Sequence, residues 1–130
     1  MNKKIIIIAS LLGVLAVITG AFGAHGLKEK LTVPQLEVWH TAVQYHFYHV
    51  FALLFLSTFT RFKNNTIVIS FYFFVTGIVL FSGSLYLMAC RDILGLNPSL
   101  VKTIGPITPV GGLLFIIGWI MLAFAALRHK

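Results

Sequence analysis

Gln44, His46 and His49 stand within an apolar, aromatic-rich stretch of this chain, and these are the side chains with the clearest capacity for chemistry. An imidazole can bind a metal or move a proton near neutral pH. His46 and His49 are three residues apart, so on a helix they lie on adjoining faces and could share a metal with His25 or Cys90. No HExxH, no CxxC and no paired carboxylate accompanies them. They cannot be the two opposite axial ligands of one haem, because they project from the same side of one helix, and His25 would have to be the second ligand. A proton relay or a quinone-headgroup site asks for less: a titratable imidazole, a hydrogen-bonding neighbour and access to water. Gln44, Tyr45, Ser82, Ser84 and Tyr86 are the candidate neighbours. The same groups also suit hydrogen bonding between helices and anchoring at an interface, and that structural role is the leading expectation. No cofactor is predicted, and metal, haem and quinone stay open as ligands.

Catalytic sets are missing elsewhere. Asp92 is the only aspartate, and it follows Arg91, so a local ion pair or capping contact is its expected role. Ser82-Gly83-Ser84 lies in a predicted helix, whereas a nucleophile elbow needs a Gly-x-Ser-x-Gly turn after a strand. The GAFGAHG run lacks the lysine and hydroxyl of a phosphate loop. The expectation is therefore a non-enzymatic chain.

The elements that must position these residues follow from composition. The chain has 130 residues, 58% hydrophobic and only 10% charged, with a mean hydropathy of +0.95. That is more apolar surface than a soluble domain of this length can bury. Residues 5–24, 41–60, 67–90 and 107–127 form four apolar stretches, each near the roughly 20 residues that cross a hydrocarbon core. They predict an all-α integral membrane protein, an antiparallel four-helix bundle with the bilayer as its solvent. Its net charge of +7 comes from short groups of Lys and Arg at the ends of apolar segments, which points to membrane orientation and not to nucleic acid. With a cytoplasmic amino terminus, Lys3, Lys4, Arg61, Lys63, Arg128 and Lys130 lie inside, against Lys28, Lys30, Arg91 and Lys102 outside. This bias predicts both termini in the cytoplasm. Lys3, Lys4, the apolar run and the small residues Ala21 to Ala24 also resemble a cleavable secretory signal, whose removal would leave three spans in the same orientation. The single Cys90 excludes an intramolecular disulfide.

Small residues mark the packing seams. Ala16, Gly20 and Ala24 form a small-xxx-small ladder in the first span, and Gly111, Gly118 and Ala125 recur every seven residues in the fourth. Thr32 and Gln35 fit a capping box, with Pro34 in the first turn, so a second helix is predicted from Val33 to Thr60. Placing Arg61 at the inner interface sets His49 about 18 Å and His46 about 22 Å above it. Ser82, Ser84, Tyr86 and His25 reach the same outer half. A small polar vestibule is expected there, with the Arg91 to Gly105 connection as a short lid. The seams could also pair subunits, so a homo-oligomer or a membrane-protein partner is compatible with the sequence.

Gly20-Ala21-Phe22-Gly23-Ala24-His25-Gly26-Leu27, Thr41-Ala42-Val43-Gln44-Tyr45-His46 with His49 beyond it, Phe81-Ser82-Gly83-Ser84-Leu85-Tyr86, and Pro109-Val110-Gly111-Gly112 with Gly118-Trp119 occur in that order. In these motifs the chain resembles the YgdD/YwdK-like family over essentially its whole length. The resemblance implies a small four-span protein of the bacterial inner membrane with a retained first helix. It carries no enzymatic activity, cofactor or catalytic residue to transfer. Two function classes stand: a scaffold or lipid- or partner-binding bundle, and a transporter or proton-coupled small-molecule site.

Overall fold

In the computed structural model, residues 2–59 and 65–128 are described. The inner positive residues Arg61, Lys63 and Lys130, and Thr60 at the expected end of the second span, lie outside the described residues.

Three of the helices begin where the sequence supplies side-chain partners for free N–H groups. Asn2 caps α1 (Lys3–Ala24), its side-chain oxygen accepting from the Lys4 and Ile5 amides. Thr32 caps α2 (Val33–Leu56): its hydroxyl accepts from Gln35 N–H, and the Gln35 side chain accepts from Thr32 N–H at 3.0 Å. This reciprocal box stabilises a helix start by about 1 kcal/mol. α2 is 24 residues long and gives way to a single 3-10 turn at Ser57–Phe59, four residues short of the expected Thr60 end. There the Ser57 and Thr58 hydroxyls donate to the carbonyls of Leu54 and Phe55, offering the backbone an alternative to the α pattern.

The third rod is not a uniform helix. α3 (Asn65–Gly77) passes through a π turn at Ile78–Ser82 into α4 (Gly83–Ala89). After Cys90 the chain turns in a Schellman pattern, with Leu96 N–H donating to Arg91 C=O and Gly95 N–H to Asp92 C=O. Gly95 takes the required positive φ of 63°. The connection then forms a short helix, α5 (Pro98–Ile104), capped by Asn97, before α6 (Ile107–Leu127).

The long rods run antiparallel. Asn2 N–H donates to Ser57 C=O and Trp39 to Thr19 C=O along α1 and α2, while Ser70 meets Gly118, and Phe81 meets Gly111, along the third rod and α6. One end of the molecule holds both ends of the described chain, and the other holds the α1–α2 and α4–α5 connections. Ile5, Leu53, Leu56, Phe71, Phe74 and Leu122 belong to the main core, and a smaller cluster of Leu31, Trp39 and Ala89 seals the connection end. α2 is central, touching α1 on one side and the third rod on the other, while α6 packs on α3. α1 makes little or no contact with α6, so the four rods do not close into the ring that the word bundle suggests. Its stripe of Ile5, Ala9, Ala16 and Gly23 is buried on α2, and Ile7, Leu11, Leu15, Ile18 and Phe22 face outward.

Among the described residues, three helical rods, Lys3–Ala24, Asn65–Ala89 and Pro98–Leu127, are long and apolar enough to cross a membrane. α2, the helix that carries the histidines, is the fourth long rod.

Candidate functional site

The two histidines singled out from spacing do not share a site. Three residues on a helix separate side chains by only about 60°, but α2 has a different neighbour on each side of that angle. His46 points into the seam with α1 and α4, where its Nδ1 lies 3.0 Å from the Tyr86 hydroxyl. Tyr86 is also 3.0 Å from the Thr19 hydroxyl, and Thr19 C=O accepts the Trp39 indole N–H at 2.8 Å. Trp39 and Tyr86 pack ring on ring with centroids 4.6 Å apart. Two proton arrangements satisfy the central pair: Tyr86 donating to Nδ1, or Nδ1–H donating to the phenol oxygen. His46 Nε2 is buried and makes no hydrogen bond, with the Leu12 backbone carbonyl of α1 as the acceptor nearby.

His49 faces the other way, into a cage built largely by α6. Its Nδ1 is 2.7 Å from Tyr45 C=O, which can only accept, so Nδ1 carries the hydrogen. Its Nε2 accepts the Trp119 indole N–H at 3.1 Å. Both ring nitrogens are thus satisfied in one neutral tautomer. Phe115 stacks on the imidazole at 3.5 Å with the planes 6° apart, and Phe74 and Trp119 stand against its other sides.

Glycines make room for those rings. A Cβ on Gly118 would come within 2.7 Å of the Phe74 ring, and one on Gly111 within 2.8 Å of Phe81 Cα. Ala125 is buried farther along the same face. Gly77 receives the Phe115 ring from the opposite helix. In α1, Ala16 is buried and Gly20 meets Val43, but Ala24 is exposed. The tightest α1 contact is at Gly23, one residue off the ladder, where Trp39 fills the space of a side chain.

The serines are likewise engaged between helices. Ser82 donates to Ala42 C=O at 2.8 Å, and Ser70 to Gly118 C=O at 2.9 Å. Ser84 donates to Phe81 C=O and accepts from Thr108 at 2.6 Å. Ser82 and Ser84 are buried. His25, in contrast, is the exposed C-cap of α1, and Gln44 is exposed as well; neither joins His46 or His49. Tyr45 is 40% exposed, its ring tilted against Phe81 with centroids 4.8 Å apart. Among the described residues, no three of His, Cys, Asp and Glu gather closely enough to hold a metal ion. Sequence reasoning missed Thr19, Trp39, Thr108 and Trp119 as partners, because isolated polar groups spread over three helices carry no spacing signal.

Two clefts adjoin these networks. One, of about 410 Å3, opens at the connection end between the start of α2, α4 and the α5–α6 junction. The other, of about 580 Å3, lies on the flank between α2 and α6, with Tyr45, His49, Phe81, Phe115 and Trp119 on its walls.

Outward apolar rods, with polar groups paired in the seams between them, define a small all-helical protein whose long helices include several apolar enough to cross a membrane. The chain belongs to the family described as "Protein of unknown function (DUF423)", which matches residues 19–112. It is 42% identical over 130 residues to UPF0382 membrane protein YwdK of Bacillus subtilis (strain 168), covering 98% of each chain. UPF0382 membrane protein SSP2132 of Staphylococcus saprophyticus is 43% identical over 129 residues, covering 97% of this chain and 98% of that one. No solved structure matches. The family drawn from the four motifs is therefore the family the comparisons show.

Proposed function

We propose that this protein is a non-enzymatic helical scaffold of the bacterial inner membrane, with both termini cytoplasmic, that presents its outward faces to lipid or to another membrane protein. The observation that carries this reading is the use of the buried polar groups: His49, Ser82, Ser84 and Ser70 each bond to another helix or to their own backbone. Groups used in this way hold helices together and leave little for a substrate. His46 Nε2 is the exception, and it favours the competing reading of a proton-coupled site. A route through it stops short, however. Beyond His46 on the α1 side, the buried residues toward the terminal end are Ala9, Ile5, Val50, Leu53 and Leu56, and polarity returns at Ser57, about 16 Å away. A proton needs a chain of polar groups or water, and the buried side chains along this stretch are apolar.

The test is a flux assay in proteoliposomes under an imposed pH gradient, with wild type, His46→Ala and His49→Ala compared. A scaffold leaves all three at the leak of protein-free vesicles. Flux above that leak, lost in a folded His46→Ala protein, would sink the scaffold reading and restore the proton-coupled one.

A further inference from the structure

The geometry points to a phospholipid site in the connection-end cleft, with Arg91 holding the phosphodiester of one lipid and α2 and α4 taking the upper part of an acyl chain. This rests on the scaffold reading and gives its lipid contact an address. The cleft is graded along the helix axis. Thr32 and Arg91 stand at the connection end of the cleft and Val38 and Leu85 line it farther in, with Met88 near the end of α4 and Thr108 at the level of Ser84, to which it is bonded. Val38 and Leu85 lie about 6 to 8 Å inside the ends of their helices. An occupant must therefore be polar at one end and apolar at the other. Its volume of about 410 Å3 falls within the roughly 300–1,000 Å3 of small-molecule sites, room for a headgroup and the first methylenes but not a whole lipid.

The sign of the headgroup charge follows from how Arg91 and Asp92 are held. The Asp92 carboxylate accepts the Gln35 side-chain N–H at 2.5 Å through Oδ2. Only its Oδ1 approaches Arg91, and it does so at Nε, 3.8 Å away. Gln35 is itself fixed, since its oxygen closes the capping box and its side chain is buried. The carboxylate is thus tethered to α2, and among the described residues the terminal guanidinium nitrogens of Arg91 make no hydrogen bond. A half-exposed guanidinium fork on the rim of a cleft matches a phosphodiester, which it can grip with two parallel N–H···O bonds.

The experiment uses the purified full chain in detergent, titrated with phosphatidylglycerol and read by native mass spectrometry. Wild type is expected to retain one lipid per chain. Arg91→Gln is expected to weaken retention by about tenfold or more, the scale of one charge-assisted hydrogen bond. Lys102→Gln, which removes an exposed cation from α5, should leave retention unchanged. Met88→Trp, which fills the cleft and keeps the charge, should weaken it as Arg91→Gln does. Equal losses in Arg91→Gln and Lys102→Gln would reduce the effect to diffuse charge and overturn the site, as would unchanged retention in folded Arg91→Gln. Neither result touches the flux assay, so the site and the scaffold reading fail separately.

Discussion

At the scale of single residues, the polar groups of this interior act as fasteners. Hydrogen bonds between membrane helices contribute on average about 0.6 kcal/mol and at most about 1.7, because the separated helices also find partners. His49 makes one such bond, from Trp119, a second to Tyr45 C=O in its own helix, and adds a stacked ring worth about 0.5–1.5 kcal/mol. His49→Ala should therefore destabilise the protein by about 2–3 kcal/mol. His49→Phe, which keeps a stack and drops both bonds, should cost about half as much, and chemical denaturation in mixed micelles measures both. Equal costs would assign the whole effect to hydrogen bonding. Tyr86→Phe removes the hydroxyl shared by Thr19 and His46 and should cost about 1–2 kcal/mol, since it leaves His46 Nδ1 without its partner in a buried seam.

At the scale of elements, the third rod and α6 make the closest approach. Gly111 abuts the backbone of Phe81 within the π turn, and a side chain there would meet main chain, which cannot swing aside as a rotamer can. Gly111→Val should cost at least about 1–3 kcal/mol from overpacking and separate the two rods. Gly112→Val, whose nearest neighbour is the Phe81 ring at 3.7 Å, should be tolerated. A thermal-shift comparison of these adjacent substitutions checks the assignment, and equal losses would refute it. The wide turn and the close glycine occur together, so the two helices are fitted to each other at one level. The heptad of Gly111, Gly118 and Ala125 was legible as a face of α6, yet its partners Phe81, Phe74 and Ser70 were not. Spacing says which residues of a helix point the same way and nothing about which helix they meet.

At the scale of the whole molecule, antiparallel rods put Asn2 beside Ser57 and the described end of α6 at that same pole. In a Cys90→Ser background, cysteines at Asn2 and Arg128 should react with a membrane-impermeant thiol reagent from the cytoplasmic side only, and those at Lys30 and Lys102 from the outer side only. Labelling of Asn2 and Arg128 from opposite sides would break the predicted topology.

The all-α class, the four long helices and the capping box came from local properties: hydropathy, side-chain length and the donors a helix start leaves free. Those depend on neighbours in the chain, so one dimension is enough to read them. What only tertiary structure decided is where each polar group is spent. His46 and His49 looked like one cluster because the sequence sees a 60° separation and not the two helices on either side of it. His25 seemed to join them because depth along a helix axis, which residue counting estimates, carries no information about azimuth or about the lateral position of α1. The bonds of Tyr86 to Thr19 and to His46, and of His49 to Trp119, join residues from 40 to 70 positions apart. Such contacts are fixed by how rods rotate and shift to exclude one another's volume, a property of the packed molecule that no stretch of the chain contains.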